Sequence, residues 1–355
     1  MTQTIPDKQN IIQFGPLSES DFGSLIDKKY GDSKKIILVD ENTHDFCLPA
    51  LITSYEALND AEIILLPVGE GNKVMEVCFQ VWEAFSNYGI QRKDLIINLG
   101  GGVVTDMGGF IASVYKRGLN FINIPTSLLA MVDASVGGKT GINLGSYKNQ
   151  LGVFSFPVKT YCDPGFLQTL PEKEWLSGKA EMLKHALIAD SMHWDELKSI
   201  AVNKVNSAMI RRSVEIKMDI VEQDPEEKGL RKTLNLGHTV GHALEGLFME
   251  DGVLTHGECV AWGMVAEAQI ANNLGMLGES DLSEIDRVIR SLYEEIELSE
   301  GDLKSLIRLM KNDKKNEGEK INFSLPEKIG RVAVNIEVDE GQIIDALKRV
   351  FKLSY

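Results

Sequence analysis

Short apolar runs alternate with segments of helical spacing through the first half of the chain. "KKIILVD" and "AEIILLPVG" are β-branched and aliphatic runs that end in turn residues, and "NKVMEVCFQVWEAFSNYG" then repeats apolar positions at helical spacing up to a glycine stop. "KDLIINLGGG" reads as another strand, "VVTDMGGFIASVY" as a helix and "NFINIPT" as a strand. Strands alternating with helices predict a parallel sheet covered on both faces, with ligands at the carboxyl ends of its strands.

From about Pro171 the pattern changes. "EKEWLSGKAEMLKHALIAD", "NSAMIRRSVEIKMDIVEQD", "LRKTLNLGHTVGHALEGLF" and "GECVAWGMVAEAQIANNLG" each predict a helix. Two amphipathic segments follow near Leu282–Ile296 and Leu303–Met310, then a hairpin in "KINFSLPEKIGRVAV" and a closing helix in "GQIIDALKRVFK". The expected fold is α/β followed by α. An amino-terminal Rossmann-like parallel-sheet domain over 1–170 precedes a mostly helical, metal- and substrate-binding domain over 171–355, with a cleft between them as the natural place for a pocket.

Composition narrows the partners. The 355 residues carry a formal net charge of −15 and no block of Lys or Arg, which argues against nucleic acid or an anionic membrane surface. No stretch approaches the roughly 20 apolar residues of a membrane helix, and the first ten residues lack a signal-peptide pattern. Cys47, Cys78, Cys162 and Cys259 are widely spaced and predict reduced, buried thiols in a cytoplasmic protein. An anionic small molecule remains compatible, because a pocket can be locally basic.

Four segments carry chemistry. "LGGGVVTDMGG" places Gly100, Gly101 and Gly102 between a strand and a helix, where backbone N–H groups and the helix dipole favour a phosphate. "DASVGGKTGIN" with "GSYKN" offers Asp133, Lys139, Asn143, Lys148 and Asn149; it fails the P-loop spacing, since Asp133 stands where the first glycine is needed, and a polar surface loop is the plain alternative. In "LRKTLNLGHTVGH", Arg231, Asn235, His238 and His242 fall at i, i+4, i+7 and i+11, one face of a continuous helix. That face is too polar for a core and too poor in Glu and Lys for a solvated surface. In "GKAEMLKHALI", Glu181 and Lys184 lie side by side, either as a surface ion pair or as part of a site. Glu181 with two histidines gives the N/N/O donor set of a catalytic zinc centre. His185, His193 and His44 read as structural or surface residues.

In this order and spacing, "GGGVVTDMGGF", "YKRG", "IPTSLLAMVDASVGGKTGIN", "AEMLKHALI", "LNLGHTVGHALE" and "HGECVAWGM" closely resemble the 3-dehydroquinate synthase family, from about Asp40 to Asp313. The resemblance implies bound NAD and a divalent metal, Zn2+ or Co2+, in a homodimer. It implies a lyase of the shikimate pathway that converts 3-deoxy-D-arabino-heptulosonate 7-phosphate into 3-dehydroquinate and phosphate. It assigns Glu181, His238 and His256 as metal ligands, whereas spacing alone nominates His238 and His242 as a chelating pair. His242 matches a catalytic histidine instead.

The same resemblance assigns NAD contacts to Asp40, Asn42, Glu70, Lys73, Gly101, Gly102, Val103, Asp106, Thr126, Ser127 and Lys148, and to the segment from Phe166 to Thr169. Substrate contacts fall on Arg117, Asp133, Lys139, Asn149, Lys184, Lys217, Arg231 and Asn235, and on Lys314 or Lys315. Glu227 matches a proton acceptor, and Arg117 and Lys139 also count among the catalytic groups. Thr105 and His185 depart from a common glycine and tyrosine of the family.

The implied chemistry accounts for this inventory. Oxidation at C5 acidifies the C6 proton, phosphate leaves by β-elimination, the ketone is reduced again, and the opened ring closes by an aldol step. The alternatives are another sugar-phosphate cyclase, such as 2-deoxy-scyllo-inosose synthase, or a metal-dependent polyol dehydrogenase. A closed structural zinc site would require four ligands. "VGGKTGIN", Arg231 and Asn235 favour a substrate that carries a carboxylate.

Overall fold

A computed structural model describes residues 11–145, 147–248, 254–311 and 320–354. The chain divides into two compact units, Met1–Pro171 and Glu172–Tyr355.

The first unit is built on a six-stranded sheet of β1 (Ile12–Phe14), β2 (Lys35–Asp40), β3 (Glu62–Leu66), β4 (Leu95–Gly100), β5 (Asn120–Pro125) and β8 (Lys159–Cys162). Its order is β1-β8-β5-β4-β2-β3, with every pairing parallel. Central strands of such a sheet are buried on both faces, so they read as continuous apolar runs. Ile36 to Val39 and Leu95 to Gly100 are accordingly all buried, whereas the edge strand β3 exposes Ile63 and Leu65.

One face packs on α1 (Phe22–Tyr30), α2 (Glu41–Phe46) and α3 (Leu48–Ser54) through Ile26, Leu51, Ile37 and Ile97. The other packs on α4 (Met75–Asn87) and α5 (Gly102–Val114) through Phe85, Ile111, Ile36 and Ile96. The chain moves outward from β2 to β3 and returns to β4 on the opposite side of β2. That reversal opens a crevice at the carboxyl ends of β2 and β4, the place where such sheets bind ligands.

Lys139 to Asn143 of "GGKTGIN" and Tyr147 to Asn149 of "GSYKN" belong to an antiparallel hairpin, β6 (Lys139–Leu144) with β7 (Tyr147–Phe154), and not to a loop. The glycines mask the strand period, yet Gly141 pairs with Gly152 so closely that a Cβ at Gly141 would lie 2.8 Å from the Leu151 carbonyl oxygen.

The second unit is mostly helical: α6 (Glu172–Ala189), α7 (Ser191–Ser199), α8 (Ser207–Gln223), α9 (His238–Leu247), α10 (His256–Asn273), α11 (Glu279–Arg290), α12 (Glu300–Lys311) and α13 (Glu340–Val350). The predicted hairpin is β10 (Ile321–Lys328) with β11 (Arg331–Val338), and the short strands β9 (Glu297–Ser299) and β12 (Lys352–Ser354) pair in parallel.

The single helix expected over Leu230 to Phe248 is broken in two. Leu230–Asn235 forms a 3-10 turn, Gly237 adopts φ +78°, and α9 starts at His238. Backbone-to-backbone packing forces the break. A Cβ at Gly237 would meet the Val260 carbonyl oxygen at 2.8 Å, and one at Gly263 would meet the Gly237 carbonyl oxygen at 2.0 Å. Arg231 and Asn235 therefore do not share a helix face with His238 and His242.

Candidate active site

In the first unit, the residues expected to hold a nucleotide gather at the carboxyl edge of the sheet. Asp40 ends β2, Glu70 and Lys73 follow β3, Gly100 ends β4, Thr126 and Ser127 follow β5, and Phe166 to Thr169 lie in the 3-10 turn after β8. Asp40 caps α2, accepting the Thr43 N–H at 2.8 Å, and Asn42 stands exposed on the next turn.

Gly100 permits the abrupt strand-to-helix turn, since a Cβ there would lie 2.5 Å from Val104. Gly101, Gly102 and Val103 then present the amino end of α5, which carries unpaired N–H groups and partial positive charge. The buried Lys73 donates to Asp106 Oδ2 at 2.5 Å and to Asn149 Oδ1 at 2.7 Å. Asn143 donates to Glu70 Oε1 at 3.1 Å and accepts the Asn149 N–H at 2.9 Å, while Lys148 Nζ lies 3.7 Å from Glu70.

This network ties β6 and β7 to the loop after β3, and it places Asn149, assigned to substrate, among the nucleotide residues. Asp133 lies in a turn of π-helix, Ala130–Ala134, and Lys139 opens β6 as an exposed residue.

Arg117 is not brought to this cluster. Helix α5 returns the chain to the amino end of β5, and Arg117 stands exposed in that turn, at the opposite edge of the sheet. Among the described residues, Lys116, Arg117, Asn149, Glu227 and Asn335 are the non-glycine positions with φ above zero. Three of these five were singled out from the sequence as site residues, and strained backbone collects at functional positions.

In the second unit, Glu181 on α6, His238 at the start of α9 and His256 at the start of α10 converge. Glu181 Oε1 is 3.4 Å from His238 Nε2 and 3.4 Å from His256 Nε2. Donors held at about 2.0–2.1 Å from a tetrahedral ion stand about 3.4 Å apart, so both Glu181–histidine spacings suit a zinc-like ion, and all three donor atoms lie within 4.8 Å of one another. The fully buried Glu181 also pairs with Lys184, so that pair is not the surface ion pair that spacing alone allows.

The histidine tautomers are set from behind. His238 donates its Nδ1–H to the Leu236 carbonyl at 3.1 Å, which leaves Nε2 with a lone pair. Burial, with the neighbouring Lys184 charge, holds His238 well below the ordinary histidine range. Burial also opposes the charged form of His256, but Glu245 and Glu181 outweigh it and push His256 up to about 10. His242 completes the group, with its ring centroid 5.0 Å from that of His238 and 6.1 Å from that of His256.

Arg231, buried, donates to the Pro225 carbonyl at 2.9 Å, and Asn235 donates to Glu227 Oε1 at 3.0 Å. Asp224 braces this turn by accepting N–H groups of Lys228, Gly229 and Arg231 at 2.7–3.0 Å. Lys217, buried on α8, belongs to the same unit. Lys314 and Lys315 lie outside the described residues.

Two of the other histidines are satisfied elsewhere: His193 Nε2 pairs with Ser213 Oγ at 2.9 Å, and the exposed His44 pairs with Asp45. His185 is fully buried on α6, with a ring nitrogen within 4.8 Å of a Glu181 carboxylate oxygen. Sequence reasoning missed Glu245 and Asp224. Glu245, one turn after His242, had the spacing that could have found it.

Comparison with known proteins adds to this geometry. A sequence profile described as 3-dehydroquinate synthase N-terminal matches residues 63–177, and one described as 3-dehydroquinate synthase C-terminal matches residues 178–316. A 3-dehydroquinate synthase from Parabacteroides distasonis is 41% identical over 319 residues, covering 88% of this chain and 90% of the relative. One from a Thermoanaerobacter species is 36% identical over 358 residues, covering 98% and 99%. Among solved structures, a 2-epi-5-epi-valiolone synthase from Streptomyces hygroscopicus subsp. jinggangensis, with NAD+ and Zn2+ bound, superposes with a TM-score of 0.84 at 26% identity, covering 99% of each chain.

Proposed function

The chain belongs to the 3-dehydroquinate synthase family, and we propose that it performs the family reaction with the residues described above. The reaction converts 3-deoxy-D-arabino-heptulosonate 7-phosphate into 3-dehydroquinate and phosphate, a carbon–oxygen lyase step of the shikimate pathway. The observation that carries the reading is the Glu181–His238–His256 donor set, with both histidines 3.4 Å from Glu181. When bound, NAD supplies a reversible hydride acceptor, and a divalent ion, zinc or cobalt, supplies a Lewis acid for the C5 oxygen.

Glu181, His238 and His256 hold the ion in this reading. Asp40, Asn42, Glu70, Lys73, Asp106, Thr126, Ser127, Lys148, Phe166 and Thr169 line the nucleotide, with its pyrophosphate at Gly101, Gly102 and Val103. His242 moves a proton beside the metal ligands, and Glu227 serves as a proton acceptor held by Asn235. Lys184, Lys217, Arg231, Asn235, Asp133, Lys139 and Asn149 bind and orient the anionic substrate, with Lys314 or Lys315 from beyond the described residues.

The resemblance also implies a homodimer, and it assigns the exposed Arg117 a contact with the substrate. Four buried cysteines without a disulfide suit a reducing compartment, and we place the protein in the cytoplasm.

The closest rival is a cyclase for a sugar phosphate that lacks a carboxylate. Substrate comparison tests the choice: turnover of the heptulosonate phosphate, but not of glucose 6-phosphate, supports this reading. Arg231→Ala should then lower kcat/KM for the heptulosonate by about 10- to 100-fold, the range for one charged hydrogen bond. Turnover of glucose 6-phosphate alone overturns the carboxylate-binding role of Arg231 and Asn235.

A further inference from the structure

Glu267 sits further along α10, the helix that His256 opens, and its side chain is fully buried. Its carboxylate reaches across to α9, accepting the N–H groups of Gly237 at 2.5 Å, Thr239 at 3.1 Å and Val240 at 3.2 Å. These are first-turn donors, which have no acceptor within their own helix. The residue preceding α9 is Gly237, which has no side chain to cap them. A charged acceptor on a neighbouring helix therefore supplies the cap, and it complements the positive end of the α9 dipole.

The three bonds bracket His238. On one side they fix the segment whose Leu236 carbonyl receives the His238 Nδ1–H. On the other they lock α9 to α10, where Gly237 and Gly263 already bring the two backbones into contact. One carboxylate thus joins the first turn that carries His238 to the helix that carries His256.

We infer that Glu267 is a positioning residue of the metal centre, setting the spacing of His238 and His256 against Glu181. The inference rests on the reading that these three residues hold a divalent ion. A purely stabilising cap would look the same in a melting experiment, so the test reads the metal site itself.

Metal-free wild type, Glu267→Gln and Glu267→Asp are titrated with Co2+, following the visible ligand-field spectrum and the dissociation constant by chelator competition. Asp190→Ala serves as control. It removes a helix cap in the same unit, where Asp190 accepts the Met192 and His193 N–H groups at 3.1 Å, outside the metal donor set. Glu267→Gln should weaken Co2+ binding by about 10- to 100-fold and shift the visible bands. Asp190→Ala should lower the melting temperature while leaving both readouts at wild-type values.

If Glu267→Gln does not fold, Glu267→Asp, which retracts the charge by one methylene, is read in the same way. Glu267 variants that melt earlier yet bind Co2+ with wild-type affinity and spectrum overturn the inference alone. A wild type that takes up no Co2+ removes the metal reading and the inference with it.

Discussion

His256 turns its Nδ1 toward Glu245 Oε2, 3.4 Å away, while its Nε2 faces Glu181. A carboxylate behind a ligating imidazole fixes the ring tautomer and raises its basicity. Glu245→Gln should therefore raise the zinc dissociation constant by about 10- to 100-fold, with most activity recovered at saturating zinc. Zinc titration against a chromophoric chelator checks this; an unchanged constant would show that Glu245 acts only in packing.

Lys184 pairs with Glu181 in a buried setting, and an ion held by Glu181 would share the task of neutralising it. Removing one member of a buried ion pair costs about 3–5 kcal/mol, because the remaining charge stays desolvated. Lys184→Met should thus destabilise the metal-free protein by that order and the zinc-loaded protein by less. Chemical denaturation of both forms measures the difference, and equal losses would contradict the shared role.

Gly237→Ala introduces a side chain at φ +78° and 2.8 Å from the Val260 carbonyl oxygen. Backbone strain alone costs roughly 1–2 kcal/mol, and the steric contact adds to it. Gly341→Ala, on α13 with nothing within 4 Å of the new Cβ, should instead be neutral or stabilising by up to about 1 kcal/mol. Denaturation midpoints moving together in both variants would refute the close-approach argument.

Lys179 is fully buried, donates to the Ile200 carbonyl at 2.6 Å, and is pushed down to about 8 by burial. Between that value and the ordinary lysine range near 10.4, the unfolded chain binds more protons than the folded one. This lysine's contribution therefore makes stability rise with pH through that window. Lys179→Met removes the contribution, so the wild-type minus variant difference in unfolding free energy should grow from pH 8 to pH 10. A flat difference would mean that the ammonium is not disfavoured by burial.

The strands and most helices were legible because their apolar periods are long and uninterrupted, as in "KKIILVD" and "EKEWLSGKAEMLKHALIAD". The β6–β7 hairpin was not, since glycine and polar residues replace the alternating pattern there. Periodicity also ran one helix through Gly237, because the carbonyl contacts that break it come from α10, distant in sequence.

The candidate metal trio illustrates the same limit. Spacing pointed to His238 and His242, which are one helical turn apart, whereas the fold brings His238 and His256 to Glu181 from three separate helices. Only the resemblance named that set in advance. Glu245 and Glu267 read as ordinary helix glutamates until the fold turns them inward.

The proposed reaction couples a transient oxidation to loss of phosphate. Metal-free protein supplied with NAD and 3-deoxy-D-arabino-heptulosonate 7-phosphate is mixed with zinc, while phosphate release and NADH absorbance are followed together. Phosphate should be released steadily with no accumulating NADH, dependent on zinc and abolished in His256→Ala. NADH accumulating in proportion to substrate consumed, with no phosphate released, would contradict it and identify a dehydrogenase.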